Sequence, residues 1–271
     1  MVDSVGDRMK RYEASFQPLL IPNMPVIVRV DGRAFHTLTR RFERPFDQKL
    51  IGSMVYATRN TAIDMAGFEL AYTQSDEASF MLSDQASHEA QAWFGNNLSK
   101  LVSIIASTFT MRFNQCMYHT YERWEPATFD ARAFNIPRED APNYFLWRQR
   151  DWERNSLQML ARTHFSHKDL HEKGREAIHE MLHEVGVNWA DLSPQLKNGT
   201  YILQSGNAES DVLPKYDAIK ALMALSQAEE RIAQATRIPP ILVSDAPALN
   251  WSSTDIDFKH RPWNWTEDWA H

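Results

Sequence analysis

Asp31 and Asp76 are the residues of this 271-residue chain best suited to chemistry. Asp31 ends a β-branched run, Val26-Ile27-Val28-Arg29-Val30, which follows Pro25 and reads as a strand. Side chains alternate along a strand, so Ile27, Arg29 and Asp31 share a face. Asp31 then projects from the strand end beside Gly32, where the missing side chain lets the backbone approach a ligand. Asp76 lies in a polar segment, Gln74-Ser75-Asp76-Glu77, that reads as a turn between two further strands. Two carboxylates brought to one sheet edge repel each other unless a cation joins them. Hard oxygen ligands of this kind suit Mg²⁺, which also takes oxygens from a triphosphate. The chemistry implied is two-metal phosphoryl transfer, in which one ion activates an attacking hydroxyl and both stabilise the pentavalent phosphorus. The plainer alternative is an Asp-Gly turn, a solvated basic loop (Arg33, His36, Arg40, Arg41, Arg44) and an ordinary acidic hairpin.

The elements that must position this pair can be read from periodicity. Ile51, Met54, Val55, Thr58 and Ala62 recur at helical spacing, predicting a helix from Asp47 to Ala66 with Asp47 as its N-cap and Gly67 as its stop. Phe68 to Tyr72 and Ala78 to Leu82 read as strands on either side of the Ser75-Asp76 turn. A long helix is expected over roughly Ala90 to Asn114, with Leu98, Leu101, Val102, Ile105 and Phe109 on one stripe. Phe129 to Ile136, between Pro126 and Pro137, reads as a fourth strand. The order β-α-β-β-α-β predicts an α+β, ferredoxin-like split βαβ sheet. In that sheet the strand ending at Asp31 neighbours the strand that follows Asp76. Helices are expected at Tyr144 to Thr163, Lys168 to Val185 and Tyr216 to Ala235, and a short strand at Tyr201 to Leu203.

Composition narrows the possible partners. Lys and Arg number 29 against 35 Asp and Glu, a formal net charge of −6, so bulk charge cannot hold a polyanion. Nucleic acid would have to be held by local basic patches or bound cations. The single cysteine, Cys116, excludes an internal disulfide framework and a multi-cysteine zinc site. Met1 to Lys10 carries no apolar stretch of the signal-peptide kind, and no run suits a membrane span. The expectation is a cytoplasmic protein. The Pro-rich tail with Trp251, Trp263, Trp265 and Trp269 reads as cover for an apolar surface.

Val28-Arg29-Val30-Asp31-Gly32-Arg33-Ala34-Phe35-His36 together with Gln74-Ser75-Asp76-Glu77 resembles the tRNA-His guanylyltransferase superfamily, the 3′-to-5′ RNA polymerases. Phe129-Asp130-Ala131-Arg132 and Trp147-Arg148-Gln149 resemble further segments of it, and the likeness runs from about Asp7 to Leu203. The resemblance implies a polymerase-type palm at residues 1–140, a helical part of the catalytic region at 141–205 and a C-terminal extension of unassigned role at 206–271. It implies that Asp31 and Asp76, with the Gly32 carbonyl, hold two Mg²⁺ ions, and that Glu77 shares in catalysis. It implies that Asp31, Gly32, Arg33, Ala34, Phe35 and His36 wrap a nucleoside triphosphate through backbone N–H groups, that Ser75 donates to the same phosphates, and that Arg44 and Lys100 contact phosphate. Arg44 stands where the family has Lys. ATP or GTP would activate an RNA 5′-monophosphate, and an incoming nucleoside triphosphate would then extend the 5′ end. A homotetramer is expected by the same analogy.

One departure sorts the family's branches. Eukaryotic members carry His-Ile-Asn-Asn-Leu-Tyr where this chain has Glu153-Arg154-Asn155-Ser156-Leu157-Gln158. The match at Asn155 and Leu157 alone points to the guanylyltransferase-like branch that repairs 5′-truncated tRNA. Arg148, Arg150, Arg154 and Asn155 are the expected RNA contacts, with Arg162 a further candidate. Two rival classes stand beside this reading. His179-Glu180-Met181-Leu182-His183 formally matches the His-Glu-x-x-His zinc hydrolase pattern, although Trp189 occupies the place of a third histidine. A non-catalytic RNA-binding module that keeps the palm is the other.

Overall fold

A computed structural model describes residues 4–84, 91–123, 125–203, 206–209, 219–220 and 223. Helix α1 is Val5–Ala14, β1 Val26–Gly32, α2 Phe35–Leu38, α3 Gln48–Ile63, β2 Phe68–Gln74, β3 Glu77–Leu82 and α4 Leu98–Tyr121. Then come β4 Phe129–Asn135, α5 Ala141–Ala161, α6 His167–Leu170, α7 Arg175–Glu184, α8 Pro194–Asn198, β5 Thr200–Leu203 and β6 Gly206–Glu209. These elements fall within one compact unit, Met1–Ile241; a second, Leu242–His271, lies outside the described residues, as do the tail tryptophans. Of the helix expected at Tyr216 to Ala235, only Ile219, Lys220 and Met223 are described.

The sheet has the order β4-β1-β3-β2-β5-β6, and each neighbouring pair is antiparallel. Its first four strands are the split βαβ arrangement expected from the sequence, with β1 beside β3. The strand expected at Tyr201 to Leu203 extends it by pairing with β2, so residues 141–205 share a sheet with residues 1–140.

Two layers cover the sheet. Val28, Val30, Ala78 and Phe80 face α3 and α4, where Phe109, Phe113 and Phe129 form an aromatic core with them. Ile27, Leu70, Tyr72 and Met81 face the opposite way, toward Tyr144 and Phe145 of α5. A third apolar cluster joins Leu157, Leu160 and Ala161 of α5 to Leu170, Ile178 and Leu182.

Local signals set most of the boundaries. The Asp47 carboxylate accepts hydrogen bonds from Lys49 N and Leu50 N at 3.0 Å, which starts α3 as expected. That helix ends at Ile63, earlier than Gly67 suggested. Gly67 serves the next turn instead: its φ is +76°, and an added Cβ would lie 2.3 Å from the Ser83 carbonyl oxygen. Helix α4 begins at Leu98, not near Ala90, because the Asn97 side chain caps it by accepting from Lys100 N at 3.0 Å. Its apolar stripe then runs on through Phe113 and Met117. The helix expected over Lys168 to Val185 is broken in two, since Glu172 takes a φ of 59° and the chain restarts at Gly174. Helix α1 escaped the periodicity reading because it buries no residue.

Candidate active site

Strand β1 delivers Asp31 to the sheet edge between two neighbours. Asp31 lies opposite Glu77 of β3 and Asp130 of β4. The β2–β3 hairpin turns through Ser75 and Asp76 alone, with Ser75 in the left-handed region at φ 50°. The Gly32 amide donates to the Asp76 carbonyl at 3.0 Å, which fastens the end of β1 to this turn. A Cβ on Gly32 would come within 2.9 Å of the Asp76 Cβ and 2.4 Å of the Phe35 ring. The close approach therefore demands glycine, and it brings the expected aspartate pair together.

The electrostatics agree with that closeness. Burial is the main cause that raises the Asp76 pKa above 3.8, the Asp31 carboxylate adds to the rise, and the Ser75 hydroxyl opposes it. Ser75 Oγ donates to Asp76 Oδ1 at 2.8 Å. The Asp31 carboxylate is 35% exposed and lies 3.7 Å from Arg29 Nη2 and 4.0 Å from Arg132 Nη2. Neither distance is a hydrogen bond, so Asp31 keeps free oxygen lone pairs. Two hard carboxylates that destabilise each other fit a divalent cation. Among the described residues no group of three or more His, Cys, Asp or Glu side chains forms a metal cluster. The pair thus leaves most of an ion's coordination to waters and substrate oxygens, which is how Mg²⁺ is usually held.

Glu77 has a different position from the one expected. It is 7% exposed, and Arg148 Nε and Nη2 grip its two oxygens at 2.7 and 2.9 Å. Burial raises its pKa, with Arg148 and then Arg29 pulling the other way. Both carboxylate oxygens face guanidinium groups; besides charge repulsion with Asp31 across the ladder, Glu77 is linked to that aspartate through Arg29, whose Nε is 3.9 Å from Glu77 Oε2. Arg148 is corrected with it. The expected RNA contact is 7% exposed, bonded to Glu77 and to Asp151 Oδ2 at 3.1 Å, and stacked on the Trp147 ring at 4.4 Å. Arg150, Arg154 and Asn155 on the same helix are exposed, and Arg154 pairs with Asp151. Arg162 is exposed as well.

The segment after Asp31 runs along the edge. The Arg33 amide donates to the Thr128 carbonyl at 2.9 Å, and Ala34 turns the chain at φ 54°. The Phe35 side chain points inward, its ring 5.6 Å from Phe113 and 5.4 Å from Phe129. It anchors the loop, so only its backbone is available to a ligand. The Phe35 and His36 amides open α2 and have no partner within that helix, as the first turn of any helix dictates. Arg33, His36, Arg44 and Lys100 are exposed, and among the described residues no hydrogen bond or ion pair ties Arg44 or the Lys100 side chain to the aspartates.

The structure also adds members that the motif reading passed over. Arg29 and Arg132 lie opposite each other in the β1–β4 ladder, two residue pairs inward from Asp31 and Asp130. Strand alternation places all four on one face, a signal present in the sequence once the pairing is known. Tyr144 of α5 joins them, its hydroxyl 2.8 Å from Ser79 Oγ. The rival histidine motif finds no metal geometry. His179 packs against Trp189 with ring centroids 5.8 Å apart, and His183 Nε2 lies 3.3 Å from Asn188 Oδ1.

Comparison with known proteins identifies the family of the chain. Residues 6–137 match the family model described as tRNAHis guanylyltransferase. The tRNA(His) guanylyltransferase of Debaryomyces hansenii is 30% identical over 224 residues, spanning 75% of this chain and 82% of that one. The Neurospora crassa enzyme is 34% identical over 169 residues, a match covering 58% of this chain and 54% of the fungal protein. A bacterial tRNA(HIS) guanylyltransferase-like protein solved in complex with ATP superposes with a TM-score of 0.71 at 41% identity, covering 74% and 86% of the two chains. The same kind of bacterial protein in complex with GTP gives 0.63 at 38% identity, covering 74% and 84%.

Proposed function

The chain belongs to the tRNA-His guanylyltransferase family, and on that premise we propose that it adds nucleotides to the 5′ end of truncated tRNA. The contact that supports this reading best is Gly32 against Asp76, which joins two aspartates remote in sequence at one sheet edge. ATP or GTP serves as the activating nucleotide, a reading supported by the bacterial complexes with each.

The reaction has two transfers. The RNA 5′-monophosphate oxygen attacks the α-phosphorus of ATP or GTP and pyrophosphate leaves. The 3′-hydroxyl of an incoming nucleoside triphosphate then attacks the RNA 5′-phosphorus, and the nucleoside monophosphate leaves. Asp31, Asp76 and the Gly32 carbonyl are the residues that would hold Mg²⁺, which when bound activates the attacking oxygen and neutralises charge on phosphate. The exposed Arg33 and His36 and the amides of Ala34, Phe35 and His36 wrap the triphosphate, with Phe35 anchoring that loop in the core. Ser75, next to Asp76, orients the same phosphates, and Arg44 and Lys100 supply outlying positive charge. Residues 1–140 form the catalytic palm, and 141–205 supply its helical part. Arg150, Arg154 and Asn155 line the exposed side of α5 that meets the RNA backbone.

Repair rather than addition of a single G to tRNA-His is favoured by the Glu153-Arg154-Asn155-Ser156 segment. Glu153 is buried there at 5% exposure, so this helix offers a carboxyl turned inward where eukaryotic relatives have an imidazole. Incubation with labelled nucleoside triphosphates, Mg²⁺ and 5′-truncated tRNA tests the proposal by product length at the 5′ terminus. Extension past one nucleotide that follows the opposing strand is the expected result. Binding of tRNA without any Mg²⁺-dependent transfer would leave a non-catalytic module in its place.

A further inference from the structure

The carboxylate at position 77 is adjacent in sequence to the metal-site aspartate at 76, yet it serves the interior. Arg148 occupies both its oxygens, at 2.7 and 2.9 Å, and is itself fixed by Asp151 and by stacking on Trp147. Arg29 lies on the other side of Glu77. Its Nε is 3.9 Å from Glu77 Oε2, is buried, and has no hydrogen-bond partner among the described residues. Its Nη2 is 3.7 Å from Asp31 Oδ2. Arg29 is therefore suspended between two carboxylates and bonded to neither.

We propose that Arg148 is a positioning residue for nucleotide transfer: by saturating Glu77 it leaves the Arg29 guanidinium facing Asp31. This rests on the transfer reaction proposed above. The physical argument concerns which cation neutralises a buried anion. An ionised Glu77 without Arg148 has only Arg29 close by, and a buried charge left unpaired is costly. Glu77 then closes the 3.9 Å gap to Arg29 Nε, the guanidinium turns inward, and Asp31 loses the group that orients it. Displacing a reacting group by about 1 Å costs on the order of 100-fold in rate. The Arg148 fork matters as well as its charge, because a lysine cannot hold two oxygens in one plane.

Three readouts on the full chain test this. The neutral pair Arg148→Met with Glu77→Gln removes the ions together, so its melting temperature is expected to stay close to that of the wild type. The kcat of Arg148→Met alone is expected to fall about 10- to 100-fold while KM for the nucleoside triphosphate changes by less than about threefold, and the double variant, with no buried anion to draw Arg29 away from Asp31, is expected to recover most of that loss. Arg148→Lys is expected to transfer faster than Arg148→Ala and slower than wild type, which gives a second measure if the double variant folds poorly. The third readout is independent of activity: the Arg29 Nε–H resonance of ¹⁵N-labelled protein should move and exchange more slowly in Arg148→Met, where Glu77 takes it as a hydrogen-bond donor, and return toward its wild-type position in the double variant. A double variant as slow as Arg148→Met, or an Arg148→Met variant that folds and transfers at the wild-type rate, overturns the proposal. If the wild type transfers nothing, the reaction reading fails, and the Arg29 resonance then decides the relay alone. An unmoved resonance overturns it.

Discussion

The two faces of the sheet are built on different principles. Against α3 and α4 the sheet presents Val28, Val30, Ala78 and Phe80, and the helices answer with Phe109, Phe113 and Met117. The apolar packing there reaches the sheet edge, where Phe35 and Phe129 close it. Against α5 the apolar contacts of Ile27 and Tyr144 give way, toward the same edge, to Arg29, Ser79, Glu77 and Arg148. Burial on the first face is satisfied by any well-shaped apolar side chain. Burial on the second is tolerated because most of its polar groups are paired, Arg29 Nε being an exception among the described residues, so its residues specify orientation. One face supplies stability, and in the mechanism proposed above the other aims the aspartates.

The sharpest break in that comparison is expected from Asp31→Ala or Asp76→Ala. Either should abolish transfer with the melting temperature held or raised, since each removes one of two repelling carboxylates. Activity retained in both would dismiss the aspartate pair as the catalytic centre. The converse change is Phe109→Ala, which empties the apolar face where Phe109 meets Phe129 at 4.8 Å and Phe80 at 6.4 Å. A loss of about 3–5 kcal/mol in urea unfolding is expected, with kcat per folded molecule kept. Gly32→Ala couples the faces, because the new methyl strikes Phe35 on one side and Asp76 on the other. It should cost about 1–3 kcal/mol through overpacking and reduce transfer as well, so a variant that is stable but inactive, or unstable but fully active, would separate what the structure joins.

These residues also show how far the sequence could be read. The aspartate pair was legible because strand order follows from β-α-β-β-α-β, and that order alone makes β1 and β3 neighbours. Asp47 was legible as a cap because capping is a local hydrogen bond. Glu77 and Arg148 were not. Whether a residue beside a turn faces the edge or the interior depends on the turn's length, and the Ser75-Asp76 turn is only two residues long, with Ser75 at φ 50°. Glu77 is thereby already in the ladder opposite Asp31. The arginines of α5 share a helix, but only tertiary packing decides that Arg148 is buried while Arg150 and Arg154 meet solvent. The same limit explains the tandem α6 and α7, since Glu172 adopts a left-handed conformation that propensity does not announce.

A smaller effect is expected within the α5 face. Tyr144→Phe removes the hydroxyl that meets Ser79 Oγ at 2.8 Å. The cost should be about 0.5–1.5 kcal/mol, the net value of one hydrogen bond, measured by urea unfolding. A loss well above that would mean Tyr144 holds the wider Arg29 and Glu77 network together.

The least effect, and the finest test of how this face tolerates charge, comes from its second buried glutamate. Glu77 is held by a guanidinium fork, whereas among the described residues the Glu153 carboxylate has only Gln149 Nε2 at 3.5 Å as a hydrogen-bond partner. Burial raises the Glu153 pKa above 4.5, and Arg175, Gln149 and Arg150 pull it back only in part. The sign follows from linkage. A carboxyl with a raised folded-state pKa contributes its stability fully below the unfolded value and loses it as pH rises through the folded one. Glu153→Gln should therefore match the wild type well below pH 4.5 and become the more stable of the two as pH climbs past the raised value. Urea midpoints measured from acid to neutral pH check this directly. A wild type more stable than the variant at neutral pH would show that Arg175 compensates the ionised carboxylate in full, and that the α5 face pairs Glu153 as completely as it pairs Glu77.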